Sequence, residues 1–536
     1  MRHRVRMLAH WPAVVLVSFM VMALWGAAFR APIVHAAESA AQTSAVGSVH
    51  DAGPVIPAGG VVAAVADNGG DDDNHDGGPG GSDGDEAEEE GILLTRPDTL
   101  TGIWTLRVED SITVTVVATA TTRFDTDELD GYVVGSWLEV KGTRQADGSI
   151  LAKRIHLDHY EVGELVVRLE NAAYSMTLAS KYDLLLTSTL LQDANIYLYS
   201  TGDEDEPELA DKVAREPDVM WAEVNYVNSV PEGDGYKTWG WGGPDEPGAY
   251  TGQSAYTQVS LNDVARAFSG AGVTVAVLDT GVYTPHEQFV GRLQLSGLDV
   301  VDDDTDASEV GPGLAWGHGT HVTGIIAVIA PQATLLPIRV LDPNGRGNTF
   351  LLAYAIEWAV DHGADVINMS LGTEFDSQVL RDVVAQAAGE GVVLVAAAGN
   401  SDVTTVQYPA GYPGVIGVTA VDEHNVKAVF ANYGAGWVDL AAPGVGIMST
   451  MISADGPGYA TWSGTSMSTA FVSGAAAQVE GKTGATVAAD SMHDLLVDTG
   501  TDIDAANPDY ARQIGRLLNV SSALGIGELY LPHAQR

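Results

Sequence analysis

The second half of the chain alternates short apolar runs with stretches of helical length. Stretches of helical character cover Phe350–Asp361, Ser377–Glu390 and Ser466–Lys482. The apolar runs between them have the length of strands: Val273–Leu278, Leu335–Val340, Val366–Ser370, Val392–Ala397 and Val415–Ala420. Apolar strands that alternate with helices are typical of a parallel sheet wrapped by helices. The pattern therefore predicts an α/β domain over residues 257–525, followed by a tail at residues 526–536.

Two smaller domains are predicted before it. Residues 92–161 read as short strands separated by turn signals such as Asp147-Gly148, which predicts a small antiparallel β domain similar to OB-like barrels. Residues 162–231 follow the order strand, helix, two strands, helix, strand, which is typical of a ferredoxin-like α+β domain. A connector rich in Gly, Pro and Trp covers residues 232–256.

The first 91 residues are unlike a folded domain. Residues 1–37 begin with basic residues and continue as a long apolar run that ends in small residues, which predicts a secretory signal peptide. An uncleaved N-terminal anchor is the alternative, because the apolar run is long. Residues 38–91 are rich in Gly and acidic residues, cannot bury apolar surface, and are predicted to form a disordered spacer.

Charge and cysteine content narrow the function. The chain of 536 residues has 71 acidic and 26 basic residues, a net charge of −45, and no cysteine. Such a charge argues against binding to nucleic acid or to a membrane beyond the signal segment. An exported chain without disulfides must be stabilised by packing or by bound metal. Nothing in the sequence indicates an organic cofactor.

Four polar residues follow predicted strands or begin predicted helices in the α/β domain. They are Asp279, His318, Asn400 and Ser466. Taken singly, each has a structural explanation, such as a turn aspartate or a small-residue helix start. Because the carboxyl ends of parallel strands meet at one edge of a sheet, the four together indicate one chemical site.

The surrounding motifs resemble those of the subtilisin family of serine proteases. The motifs are Asp279-Thr-Gly, His318-Gly-Thr-His-Val, Ala-Ala-Gly-Asn400 and Gly-Thr-Ser466-Met, in that order, and the resemblance covers about half of the chain. It implies a secreted endopeptidase in which Ser466 is the nucleophile, His318 the base and Asp279 the orienting carboxylate. Asn400 and the Ser466 N–H would form the oxyanion hole.

The same resemblance implies how protein or peptide substrates bind. Gly345-Arg346-Gly347 and Ser370-Leu371-Gly372 look like the two backbone segments between which an extended peptide binds as an added strand. Ala397, Ala398 and Gly399 would line an apolar pocket for the residue before the cut. Residues 162–231 resemble the inhibitory propeptide of such proteases, which implies a zymogen that is inhibited by its own propeptide.

Calcium is the one metal that the sequence suggests. The extra loop that holds calcium in many family members is missing after His318, and His321 is expected to be a structural, hydrogen-bonded histidine. Asp299, Asp302, Asp304 and Asp306 resemble the carboxylate-rich calcium loop of thermitase-like members. A solvated acidic loop is the alternative interpretation.

A second function remains open at this stage. The chain would then be a catalytically weak exported binding protein that docks through its N-terminal β domain. The presence of suitable residues at all four catalytic positions argues against it.

Overall fold

The computed structural model describes residues 86–526, apart from residues 98, 109–111, 125–136, 158, 203–205, 234–238, 241–246, 262–267, 295–296, 455 and 485–486. The predicted signal peptide, most of the predicted spacer and residues 527–536 lie outside the described residues. Within the described part, no helix is both long and apolar enough to span a membrane.

The first described unit is a small sheet of six strands. Its strands are β1 (Glu86–Thr95), β2 (Gly102–Arg107), β3 (Thr113–Ala118), β4 (Arg123–Phe124), β5 (Trp137–Arg144) and β6 (Ile150–Leu157). The order is β3-β2-β1-β5-β6-β4, and a parallel pairing of β3 with β6 closes the sheet on itself. Alternate residues such as Trp104 and Leu106 fill its interior, as a sheet with one buried face requires.

The predicted spacer is too long at its C-terminal end. Residues Glu86–Gly91 were assigned to it, but they belong to β1 and pair antiparallel with β5. Backbone pairing holds this segment in the sheet, and basic residues occupy two positions of the neighbouring strand. Glu88 is opposite Lys141, and Glu89 forms an ion pair with Arg144.

The next elements follow the predicted order closely. They are β7 (Tyr160–Leu169), α1 (Ser175–Tyr182), β8 (Leu185–Ser188), β9 (Ile196–Ser200), α2 (Glu206–Val213) and β10 (Val219–Ser229). The sheet order β10-β7-β9-β8 is antiparallel throughout. Leu178 and Leu209 of the two helices are buried with strand residues such as Val167, so both helices cover one face of the sheet.

The predicted connector is structured in its second part. It contains β11 (Trp239–Gly240), α3 (Pro247–Gly252) and α4 (Ser254–Gln258). Tyr250 and Tyr256 are each 1% exposed, and the Tyr250 hydroxyl donates to Gly324 O at 2.6 Å. Burial of two tyrosines makes residues 247–256 part of the α/β domain, which therefore begins earlier than the sequence pattern predicts.

The α/β domain contains the remaining strands and helices. Its strands are β12 (Thr274–Asp279), β13 (Leu298–Asp299), β14 (Thr334–Arg339), β15 (Arg346–Asn348), β16 (Val366–Met369), β17 (Val393–Ala397), β18 (Val415–Val421), β19 (Leu440–Pro443), β20 (Ile447–Ser453), β21 (Gly456–Trp462) and β22 (Arg516–Leu517). Its later helices are α5 (His318–Ile329), α6 (Thr349–Asp361), α7 (Gln378–Gly389), α8 (Thr465–Thr483), α9 (Ala489–Thr499) and α10 (Val520–Ala523).

The central sheet confirms the predicted α/β class. Eight strands run parallel in the order β13-β14-β12-β16-β17-β18-β19-β22. Strands such as β17 and β18 are buried along their whole length, because helices cover both faces. The hairpin β20–β21 lies beside the sheet and pairs with β11.

Helices α5 and α8 pack closely because small residues separate them. A Cβ added at Gly474 of α8 would lie 2.7 Å from Ile329 Cβ of α5. Both helices begin at the carboxyl edge of the sheet, so their separation determines where their first residues lie. The close approach of α5 and α8 therefore affects the positions of His318 and Ser466 as well as the packing of the core.

We expect Gly474→Ala to lower the free energy of unfolding by about 1–3 kcal/mol, because the added methyl group overpacks the contact between α5 and α8. Chemical denaturation would measure it. Gly389→Ala in α7 is the matched control, since no atom lies within 4 Å of its added Cβ, and it should be neutral or slightly stabilising. Equal effects of the two substitutions would contradict the packing argument.

Candidate active site

The four polar residues meet at the carboxyl edge of the parallel sheet. Asp279 is the last residue of β12, and His318 is the first residue of α5. Asn400 follows β17, and Ser466 lies in the first turn of α8. All four are at most 3% exposed.

Asp279 and His318 form a buried pair. His318 Nδ1 lies 2.7 Å from Asp279 Oδ1, which also accepts a hydrogen bond from the Thr280 N–H at 2.8 Å. Trp462 packs edge-on against the imidazole with ring centroids 5.3 Å apart. The carboxylate therefore orients the ring so that Nε2 is on the side away from Asp279.

Asn400 is held with its amide nitrogen toward the site. Its Oδ1 accepts hydrogen bonds from Thr465 N at 3.0 Å and Thr465 Oγ1 at 2.9 Å. The amide oxygen is thus engaged at the start of α8, and Nδ2 remains as a donor beside Ser466. A donor fixed in this way at a helix N-terminus can stabilise a negative oxygen.

A fifth residue, Glu232, occupies the centre of the site. Its Oε2 accepts a hydrogen bond from Ser466 Oγ at 2.8 Å and lies 3.2 Å from His318 Nε2. Its Oε1 accepts from Asn400 Nδ2 at 3.2 Å. A Cβ at Gly464 would lie 1.7 Å from Oε1, so the carboxylate fits only because residue 464 is glycine.

Glu232 changes the chemistry of the histidine. Burial alone would lower the pKa of His318, but the charge and hydrogen bond of Asp279, together with Glu232, raise it to about 10. The imidazole is therefore protonated near neutral pH, between two carboxylates. Ser466 Oγ has two acceptors within reach, Glu232 Oε2 at 2.8 Å and Ser370 O at 3.2 Å, and no described hydrogen bond joins it to His318. A protonated histidine cannot accept the serine proton.

The segment before Glu232 lies between residues 345–347 and 370–372, the two backbone segments predicted to bind substrate. Residues 227–229 at the end of β10 pair antiparallel with β15, and Val230 N donates to Gly345 O at 2.9 Å. On the other side, Ser229 and Gly372 exchange two backbone hydrogen bonds of 2.9 Å. This part of the chain is bound as an added strand. Leu371, from the same predicted set, is fully buried in the core.

Pro231 forms part of the wall of a small pocket beside this strand. The pocket is lined by Ser229, Gly372, Ala397, Gly399, Asn400, Ser401 and Gln407 together with Pro231. Ala398, which the sequence places in its wall, is not among the lining residues. Its backbone bonds instead to Val418 O and to the Asn432 side chain, which keeps it within the sheet.

The strand β10 also contributes side chains to two helix N-termini of the α/β domain. Glu223 accepts from Ser377 Oγ and from the N–H groups of Gln378 and Val379 at 2.7–2.9 Å, at the start of α7. Asn225 Oδ1 accepts from Phe350 N at the start of α6. Sequence inspection missed these contacts, because each joins residues more than 100 positions apart.

The second histidine has a structural environment, as expected from the sequence. His321 Nε2 lies 3.1 Å from both Ile447 O and Ala460 O, and the ring is fully buried against Trp462. Burial lowers the pKa of His321 to about 3, although its bonds to the two carbonyls oppose this. A neutral ring of this kind serves to join α5 to the hairpin β20–β21.

The four aspartates of the predicted calcium loop do not converge on one point. Arg339 Nη1 donates to Asp299 Oδ2 at 2.7 Å and also pairs with Asp302. Asp304 accepts from the Asp306 N–H, and Asp306 accepts from Ser308 Oγ. Within the described residues, no cluster of three metal-binding side chains is found. The guanidinium of Arg339, instead of a metal ion, neutralises two of the four carboxylates. As arranged here, these residues do not fit a calcium site.

The fold and the arrangement of Asp279, His318 and Ser466 define a subtilisin-like domain. Residues 270–516 match the model of the subtilase family. A thermophilic serine proteinase of Bacillus sp. (strain AK1) is 42% identical over 238 residues, which are 42% of this chain and 56% of that relative. Subtilisin BL of Lederbergia lenta is 41% identical over 226 residues, which are 40% of this chain and 79% of that relative. The chain therefore belongs to the subtilase family.

Two further comparisons concern the rest of the chain. Fervidolysin from Fervidobacterium pennivorans, described as a keratinolytic enzyme related to subtilisin, has a similar fold, with a TM-score of 0.58 at 24% identity. The match covers 68% of this chain and 61% of that chain. Residues 104–156, in the small β sheet, match DUF5666, a domain of unknown function. That match assigns no ligand to the sheet.

We expect Arg339→Met to lower the free energy of unfolding by about 3–5 kcal/mol, because Asp299, 2% exposed, would lose its buried partner. Asp302→Asn should cost at most about 1 kcal/mol, because the Asp302 side chain is 59% exposed. Chemical denaturation of both variants would test this difference.

A variant with two substitutions in the acidic loop tests the calcium hypothesis. If a chelator lowers the melting temperature of the wild type, the shift should be unchanged in a variant with Asp302→Asn and Asp304→Asn, because Asp302 pairs with Arg339 and Asp304 accepts the Asp306 N–H instead of sharing a metal site. Loss of the chelator effect in that variant would show that the loop binds calcium after all.

Proposed function

We propose that the chain is a secreted serine endopeptidase that is made as a self-inhibited precursor. Secretion rests on the predicted signal peptide at residues 1–37. Its substrates are proteins or peptides bound as an added strand between residues 345–347 and 370–372. Membership of the subtilase family and the geometry of the three catalytic side chains support this proposal.

In the active enzyme, Ser466 attacks the carbonyl carbon of the peptide bond. His318, freed from Glu232, accepts the serine proton at Nε2 and later donates it to the leaving amine, while Asp279 holds Nδ1. The developing oxyanion takes the place of Glu232 Oε1, where Asn400 Nδ2 and the start of α8 offer hydrogen bonds. Catalysis thus requires that Glu232 leave the site.

One observation carries the proposal of self-inhibition. The chain itself lies in the cleft as a substrate would, and a side-chain carboxylate of that chain contacts the nucleophile, the base and the oxyanion donor together. Residues 162–231 then act as an inhibitor domain, anchored by Glu223 and Asn225 at two helix N-termini. Processing in the connector would release it.

The small sheet at residues 92–161 has a separate role in this proposal. We assign it to an OB-like β domain outside the catalytic machinery, since none of the described residues of strands β1–β6 is among the side chains that contact Asp279, His318 or Ser466. The alternative, a catalytically weak protein that binds through this domain, is not favoured, because the geometry of Asp279 and His318 suits proton transfer.

Ser466→Ala should reduce peptidase activity by roughly 10⁵-fold or more and abolish self-processing near residues 228–256, because it removes the nucleophile. Peptide hydrolysis and the mass of the purified chain would be measured. Ser463→Ala removes a neighbouring, partly exposed hydroxyl that accepts a hydrogen bond from the Gly446 N–H, and this variant should retain activity. Processing of pure Ser466→Ala protein would contradict self-cleavage.

Glu232→Gln should make the intact chain more reactive, because an amide is not attracted to the protonated His318. Hydrogen bonds to charged groups contribute about 1.5–3 kcal/mol, so a serine-directed phosphonate should label the unprocessed variant roughly tenfold faster or more. The initial labelling rate of the full-length band measures this effect before processing interferes.

Glu170→Gln makes the same substitution at an exposed position of the inhibitor domain. It should leave the labelling rate unchanged. If Glu232→Gln and the wild type are labelled at the same rate, the carboxylate does not block the site.

A further inference from the structure

Glu309 lies next to the catalytic pair without contacting it. Its Oε1 accepts hydrogen bonds from Thr280 Oγ1 at 2.6 Å and Gly317 N at 2.9 Å. Its Oε2 accepts from Thr320 Oγ1 at 2.6 Å and from Thr320 N at 3.1 Å. The residue as a whole is partly exposed, but four donors enclose its carboxylate. The sequence motifs did not point to it.

Two of these donors belong to the first turn of α5. Gly317 is the N-cap of this helix and has no side chain to accept a bond from the N–H groups of the first turn. Glu309 supplies that acceptor from a neighbouring loop, and its negative charge is favourable at the positive end of the helix. Because His318 is the first residue of α5, this contact fixes the base of the catalytic pair.

The Thr280 hydroxyl has one proton and two acceptors within reach. It lies 2.6 Å from Glu309 Oε1 and 3.3 Å from Asp279 Oδ1, and it accepts a bond from the Gly319 N–H at 3.0 Å. The shorter distance shows that the proton goes to Glu309. Asp279 Oδ1 then serves His318 Nδ1 and one backbone N–H, and the hydroxyl does not compete.

We propose that Glu309 is a positioning residue, which holds the Thr280 proton away from Asp279 and anchors the first turn of α5. This inference rests on the proposed peptidase function. Without Glu309, Thr280 would donate to Asp279 Oδ1 and share the oxygen that His318 uses. A carboxylate that accepts an additional hydrogen bond holds the imidazolium less strongly, so His318 becomes a weaker base.

The negative charge of Glu309 also makes His318 a stronger base. Burial and the nearby charge of Asp279 raise its pKa to about 7, although the bonds from Thr280, Thr320 and Gly317 oppose the shift. The charged group that acts on it is Asp279, which is paired with His318, and Glu232 lies on the far side of the imidazole. An anionic Glu309 would also favour the protonated histidine.

The decisive variant is Glu309→Gln, measured after activation. We expect kcat to fall about threefold to tenfold with KM unchanged. The acidic limb of the pH profile of kcat/KM should move to lower pH by about half to one unit. A pKa shift of that size corresponds to the free energy of about one hydrogen bond. Adding Thr280→Val removes the competing donor and should move the limb back toward that of the wild type, although it removes a further hydrogen bond. A loss of structure alone would not produce that recovery.

Thr320→Val is the matched control. It breaks a bond of the same 2.6 Å length to the same carboxylate but leaves the Thr280 proton on Glu309. It should lower the melting temperature without moving the acidic limb. If Thr320→Val and Glu309→Gln shift the limb equally, or if neither does, the proposal is wrong.

A second measurement does not depend on peptidase activity. In the full chain with Ser466→Ala, the proton between Asp279 and His318 should give a low-field proton NMR resonance, which should move upfield in Glu309→Gln and return with Thr280→Val. An unchanged resonance would overturn the role of Glu309, whereas a wild type without activity would overturn the proposed function. If Glu309→Gln does not fold, Glu309→Asp, which withdraws the carboxylate from Thr280, replaces it.

Discussion

A buried carboxylate must find hydrogen-bond donors, and this constraint recurs throughout the structure. With 71 acidic and only 26 basic residues, the chain cannot pair each acid with a cation. The N–H groups at helix N-termini supply the missing donors: Glu223 uses those of α7, and Glu309 uses those of α5. Asp299 differs from Glu223 and Glu309, because a buried guanidinium, that of Arg339, neutralises it. The N-termini of these helices thus stabilise buried carboxylates with unpaired N–H groups and partial positive charge, as a paired Lys or Arg would.

The catalytic site uses the same physics. The parallel sheet ends where α5 and α8 begin, so unpaired donors, the histidine and the nucleophile meet at one edge. Donors arranged for an oxyanion also bind a carboxylate. Glu232 therefore needs no special pocket, since it uses Asn400 and Ser466, which catalysis already requires. Glycine at position 464 leaves the space in which either oxygen fits.

The sequence predicts the parts of this structure that local patterns encode. Five strands at the centre of the α/β domain, β12, β14, β16, β17 and β18, lie within one residue of the predicted apolar runs, because a strand buried on both faces must be apolar along its length. The shorter strands and the hairpin β20–β21 are not predicted, because they carry no comparable apolar run. Asp279, His318, Asn400 and Ser466 were found because each carries a short motif. Glu232 and Glu309 carry none. Glu232 is 234 positions from Ser466, and only the folded chain brings the two together. The partner of Asp299 could not be predicted either, because Arg339 is 40 positions away and carries no motif.

In the proposed mechanism, the inhibited and the active forms differ in one respect, the number of carboxylates that hold the histidine. With both Asp279 and Glu232 present, the pKa of His318 is about 10, and the ring remains protonated. Once Glu232 leaves, the single pair with Asp279 remains to orient the ring, and Nε2 can accept a proton. The segment before Glu232 adds affinity through main-chain pairing with β15 and Gly372, which any extended peptide can reproduce. A substrate can therefore replace the strand, but a peptide carbonyl does not bring the negative charge that locks the base. Under this proposal, the charge of Glu232 is what distinguishes an inhibitor from a substrate in the same cleft.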